Sequence, residues 1–243
     1  KLTIESAAGV KLSAWFVPGS SGTGAILLLH GIRANKRAML PRAQFLNALG
    51  FSVLLVDLQA HGESEGDLIS FGYREGADVS GSIRRLRELA PGERLGVLGT
   101  SMGAAALAFS DAHESLAAAV IEALYPGIED AVANRLRLRF GSAGTWLEPL
   151  LLAQLSPRLG ITPAQLRPIE RVLSLRCPVL LVHGEQDRHT TIEEGGRIFA
   201  ALPGPKEFYL LPGAAHVDLH GFGGKEYEQR VGDFFARHLR TEG

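Results

Sequence analysis

Short apolar runs recur along the chain at intervals wide enough for a helix between one run and the next. They occupy residues 25–30, 51–57, 95–99, 118–121 and 178–183, and polar residues or glycine close each one. Runs of this length without polar alternation suit strands buried on both faces. The segments 37–49, 75–89 and 102–110 between them have helical spacing. That βα alternation predicts an α/β fold with a mostly parallel sheet and right-handed crossovers. At the front, residues 2–5 and 10–17 flank the turn Ala7-Ala8-Gly9, and the alternation from Lys11 to Val17 predicts an antiparallel hairpin at one sheet edge. A strand over 207–211 and a helix over 225–239 close the chain.

Residues 126–176 break the rhythm, because some fifty residues pass without a strand-like run where a βα connection needs far fewer. An inserted helical lid is expected there, with part of the apolar surface of Trp146, Leu147, Leu150, Leu151, Leu152 and Leu155 facing a cleft. With 243 residues, of which 46% are hydrophobic, residues 1–243 can share one core, so a single domain is expected. The formal net charge of −1 gives no electrostatic case for nucleic acid or an acidic membrane. Cys177 is the only cysteine, which rules out an internal disulfide and a multi-cysteine zinc site. No apolar run approaches the roughly 18 residues of a membrane span, and no basic-then-apolar leader follows Lys1. The compartment is undecided on these grounds, with the cytoplasm favoured. A small neutral or weakly polar substrate is expected.

Gly99-Thr-Ser-Met-Gly103 follows an apolar run and precedes a helix-compatible stretch. A strand-turn-helix elbow lifts its serine above the sheet, and flanking glycines leave room for close backbone approach. Ser101 is therefore the expected nucleophile. A serine hydroxyl needs a base within reach at neutral pH. His216 follows the last strand in the loop Pro212-Gly-Ala-Ala and is the expected base, with His220 its nearest competitor. Asp187, just beyond the run 178–183, is the expected acid that fixes the imidazole tautomer, with Glu122 the alternative. The order Ser101, Asp187, His216 is the nucleophile-acid-base order of α/β hydrolases. The oxyanion donors are expected to be the backbone N–H groups of Met102 and Ile32, the latter exposed by a turn at Gly31. Glycines 213, 221, 223 and 224 argue against a helix aligning His216 with His220 as metal ligands.

Together these motifs resemble the α/β-hydrolase superfamily over nearly the whole chain, most closely its compact esterase, monoacylglycerol-lipase-like and serine-aminopeptidase-like members. The resemblance rests on the elbow, on His30-Gly31, on Pro178-Val-Leu-Leu-Val-His-Gly-Glu-Gln-Asp187, and on Asp57-Leu-Gln-Ala-His-Gly-Glu-Ser64. In the last motif Gln59 and Ala60 stand where the family has Arg-Gly, which casts doubt on the local turn. The resemblance implies a structural role for His61 and Ser64 and no cofactor or metal. An esterase working through an acyl-enzyme is expected, the apolar lid favouring short or medium acyl chains over highly charged substrates, with a peptidase or thioesterase as the alternative and a non-catalytic binding protein a remoter one. An exopeptidase would need a carboxylate for the substrate amine, and Glu122, Glu129, Asp130 and Glu148 are the candidates.

Overall fold

The computed structural model describes residues 1–111 and 115–241. These build an eight-stranded sheet: β1 (Leu2–Glu5), β2 (Lys11–Val17), β3 (Ala25–Leu29), β4 (Ser52–Val56), β5 (Leu95–Thr100), β6 (Ala118–Glu122), β7 (Val179–Gly184) and β8 (Lys206–Leu211). The spatial order is β1-β2-β4-β3-β5-β6-β7-β8. β1 pairs antiparallel with β2 and β2 with β4, and every later pairing is parallel. The hairpin thus lies at one edge, as the alternation in residues 11–17 predicts. Every residue of β3, β4, β6 and β7 is buried, which explains their unbroken apolar sequences.

Helices cover both faces. One face carries α2 (Glu75–Leu89), α3 (Met102–Phe109) and α8 (Ile192–Ala201), and the other carries α1 (Leu40–Ala48) and α9 (Leu219–Leu239). Between β6 and β7 the chain forms α4 (Ile128–Phe140), α5 (Glu148–Leu152), α6 (Leu155–Leu159) and α7 (Pro168–Arg171), joined by short 3₁₀ turns. Ile128, Ile161 and Leu166 form a small separate core under this segment, packed against Phe71 and Tyr73. Among the described residues no helix is long and apolar enough to cross a membrane.

The last helix proper runs over residues 225–239 as expected, and a short helical turn from Leu219 leads into it across a break at Gly224. Asp218 accepts a hydrogen bond from the Gly221 N–H, and this cap starts a turn that the glycines do not prevent. Gly224 (φ 52°, ψ −131°) then kinks the helix. His216 precedes the cap, so the turn still does not align it with His220.

Candidate active site

Ser101 joins β5 to α3 with φ 51° and ψ −109°, a conformation costly for any residue with a Cβ. Its N–H donates to the Glu122 carbonyl at 2.8 Å, tying the elbow to β6. The flanking glycines answer to contact: a Cβ on Gly99 would come within 2.8 Å of the Ala104 nitrogen, and one on Gly103 within 2.6 Å of the Leu29 carbonyl oxygen. Neither position has room for a side chain.

Ser101 lines a cavity of about 360 Å³ with Ile32 and Met102, so the structure brings the expected nucleophile and both expected oxyanion residues to one space. Neither the Ile32 nor the Met102 N–H donates to an acceptor among the described residues. The far walls come from the segment between β6 and β7, through Ile128, Val132, Leu151, Leu152 and Leu155. Leu150 and Trp146 do not line it and are 64% and 88% exposed, so only part of the apolar surface of residues 146–155 faces inward. Among the described residues, the non-glycine residues with φ in the left-handed region are Arg33, Ala60, Phe71, Ser101 and Ala123, and three of these five line this cavity.

The loop carrying Ile32 turns at Gly31 as expected, with the Ala34 N–H donating to the Gly31 carbonyl at 3.3 Å. Its left-handed residue is Arg33 (φ 59°). A Cβ on Gly31 would lie in ordinary contact 3.7 Å from the Ser101 Cβ, which places this loop against the elbow. The Arg33 N–H donates to His61 Nε2 at 3.2 Å, so that nitrogen carries no proton and His61 Nδ1–H donates to the Gln59 carbonyl at 2.8 Å. His30 is used in the same way: Nε2 accepts from the Leu58 N–H at 3.1 Å, and Nδ1–H donates to the Gly31 carbonyl at 2.7 Å. Burial holds His30 neutral and lowers its pKa to about 4. The turn 57–64 therefore supports the Ile32 loop directly. Within it Ala60 sits at φ 58°, where the family's glycine would be free of strain. The Gln59 N–H donates to Asp78, whose pKa burial pushes up to about 7.

Asp187 and His216 meet across two loops, with His216 Nδ1 2.7 Å from Asp187 Oδ2. Asp187 Oδ1 accepts from the N–H groups of His189 and Thr190 at 2.8 and 2.9 Å. Burial raises the Asp187 pKa, but the His216 bond and the two amides outweigh it and the net shift is downward. An ionised carboxylate only accepts, so Nδ1 carries the imidazole proton and Nε2 is left bare. No hydrogen bond joins Ser101 to His216 among the described residues, and such contacts often tighten only with substrate. Gly184 lets the two loops lie together, because a Cβ there would fall 2.6 Å from the Ala214 carbonyl. Glu185 also joins them, accepting from the Gly213 N–H at 2.9 Å.

The two competitors are engaged elsewhere. His220 is buried, with Nε2 2.9 Å from Glu228 Oε1. Glu122 is fully buried and accepts from Arg42, the Tyr227 hydroxyl and Thr100 Oγ1, the last at 2.8 Å. Arg42 also reaches Asp218, two residues past His216, at 2.8 Å. This network leaves no mark in the sequence, because it joins residues from 22 to 185 positions apart with no local pattern.

A profile of the alpha/beta hydrolase family matches residues 26–230. The chain belongs to the alpha/beta hydrolase family, and its sheet order and elbow are those of that fold. It is 26% identical to the uncharacterized protein YqkD of Bacillus subtilis, over 95% of this chain and 77% of that protein. Among solved structures it resembles the Pyrococcus furiosus esterase Pf2001 (24% identity, 98% and 92% of the two chains, TM-score 0.79). It also resembles the alpha/beta hydrolase GrgF from a Penicillium species (22% identity, 98% of each chain, TM-score 0.75). At these identities the likeness is one of fold.

Proposed function

We propose that the chain is a serine hydrolase that cleaves carboxylic esters of short to medium acyl chain through an acyl-enzyme. The observation that carries this reading is the strained Ser101, which shares one cavity with Ile32 and Met102, residues whose N–H groups have no protein acceptor among the described residues. In the proposed cycle Ser101 Oγ attacks the ester carbonyl while His216 Nε2 takes its proton. The oxyanion is held by the Ile32 and Met102 amides, and Asp187 stabilises the imidazolium. Collapse expels the alcohol, which takes the proton from His216. Water then attacks the acyl-enzyme with His216 again as base, releasing the acid and restoring Ser101.

The whole chain would act as one domain, with residues 126–176 as a lid that shelters the acyl chain. The mostly apolar lining and the esterase activity of the Pyrococcus furiosus relative support an ester substrate. An exopeptidase has less support, because no acidic residue among those described lines the cavity. Glu122 is bound to Arg42, Asp130 to Arg197 at 2.8 Å, and Glu129 lies 4.0 Å from Arg167.

A fluorophosphonate probe tests the reading: one label per chain, abolished in Ser101→Ala, is expected. A panel of 4-nitrophenyl esters, acyl thioesters and aminoacyl anilides should show turnover chiefly of the esters. Folded wild-type protein that takes no label would refute the proposal, and preferential turnover of anilides would replace ester by peptide.

A further inference from the structure

We propose that this cavity selects esters bearing a carboxylate, recognised by Arg33 and Arg135; the inference rests on the esterase reading above. Both arginines line the cavity that holds Ser101, and both are exposed. Among the described residues neither has a carboxylate within ion-pair distance. Arg135 spends one donor on the Ala131 carbonyl at 2.9 Å, and Arg33 is bonded only through its backbone N–H.

Unpaired surface arginines are common, so their setting decides the matter. The remaining lining is apolar apart from Ser101 and Tyr125, whose hydroxyl is already donated to the Phe71 carbonyl. Two positive charges therefore border a mostly apolar cavity with no negative charge in its described wall, an arrangement that favours an incoming anion. Arg33 is also held in place. Its left-handed backbone, unfavourable for a residue with a Cβ, is maintained by the bond to His61 and sets where the side chain leaves the loop directly after the Ile32 amide. Arg135 approaches from the other side, close enough to His189 to help depress that imidazole's pKa after burial and His216 have done so. His189 packs against His216, with ring centroids 5.0 Å apart. The charges thus flank the reacting centre, one beside the oxyanion loop and one on the histidine side. A substrate amine would meet repulsion at both.

The test compares matched pairs of esters that differ in one carboxylate. On the acyl side these are the mono-4-nitrophenyl ester of adipic acid and its methyl-capped counterpart; on the alcohol side, 4-acetoxybenzoate and its methyl ester. In at least one pair the anionic member should have a kcat/KM about five- to tenfold higher in dilute buffer, a ratio that shrinks in ~0.5 M salt. In Arg33→Gln with Arg135→Gln the ratio should fall to about one. A ratio near one in both wild-type pairs, or one that survives the double substitution, overturns the proposal. Calorimetric binding of the same esters to Ser101→Ala separates the two readings. Tighter binding of the anionic member without turnover by wild type would defeat the esterase reading alone, and equal binding defeats anion recognition whatever the turnover.

Discussion

Arg42 and Glu122 form a buried ion pair, with Nη2 2.8 Å from Oε2 and Nε 3.3 Å from Oε1, and side chains that are 2% and 0% exposed. The pair sits between the two ends of the candidate triad, because Glu122 also accepts from Thr100, just before Ser101, and Arg42 also holds Asp218, just after His216. Arg42→Met strands a buried carboxylate and should cost about 3–5 kcal/mol in urea unfolding. Adding Glu122→Gln removes the stranded charge and should recover part of the loss. A single-variant cost under about 1 kcal/mol would contradict this account.

Asp187→Asn should leave the fold intact and lower ester turnover by up to about 10⁴-fold. The amide oxygen that replaces Oδ1 can keep the bonds from His189 and Thr190, which leaves the new NH₂ facing His216 Nδ1. Nδ1 must then accept, so the proton moves to Nε2, which can no longer take one from Ser101. Steady-state kinetics beside circular dichroism checks this, and near-normal turnover would remove Asp187 from the mechanism.

The Ser101 backbone makes a prediction about stability that is separate from activity. At φ 51° and ψ −109° a Cβ is strained and glycine is not. Ser101→Gly should therefore be more stable than Ser101→Ala by on the order of 1 kcal/mol, although glycine ordinarily costs conformational entropy. Thermal unfolding of the two inactive variants in one buffer decides it, and alanine being the more stable would mean the strain is absent.

His30 should make stability depend on pH between about 6.5 and 4. Its pKa is about 4 when folded and about 6.5 when unfolded, so the unfolded chain binds more protons in that window and stability falls as pH falls. The contribution is on the order of 3 kcal/mol and levels off below the folded value. Asp78, raised to about 7 by burial, acts in the opposite sense, its share of stability falling as pH rises. The His30 effect is therefore read as the difference between wild type and His30→Asn. Parallel stability curves for the two from about pH 7 to 4 would refute it.

Leu151 and Leu155 line the cavity, and each buried methylene contributes roughly 0.8 kcal/mol. Two added acyl carbons should then raise kcat/KM about tenfold until the pocket is full. Leu151→Ala with Leu155→Ala should slow octanoate esters while sparing acetate esters. Equal losses on both would return these leucines to packing alone.

The sheet is legible in the sequence because its central strands are buried on both faces and read as apolar runs, and the order of Ser101, Asp187 and His216 follows from where loops leave those strands. The hydrogen bond between His216 and Asp187 is the pairing that order predicts. Contacts without a local period stay hidden. The Arg42 network spans distant segments, and His61 reads as a turn residue although its ring accepts from the Arg33 N–H beside Ile32. The helical turn that precedes Lys225 stays hidden, because glycine content argues against it while the Asp218 cap starts it. The turn at Gly31 is legible, but the left-handed backbone at Arg33 is not, since positive φ at a non-glycine leaves no mark in sequence.

The segment between α4 and α7 leaves the sheet at β6 and rejoins it at β7, and these two strands are hydrogen-bonded neighbours. Its ends are pinned side by side whatever lies between them, and doubling the length of such an excursion adds only about 0.6 kcal/mol of closure entropy. The sheet is thus nearly indifferent to what is spliced in there. Exchanging this stretch among relatives would alter the cavity wall while the strand ends that carry Ser101, Asp187 and His216 keep their register, so selectivity can drift as an exchangeable cassette on an unchanged frame.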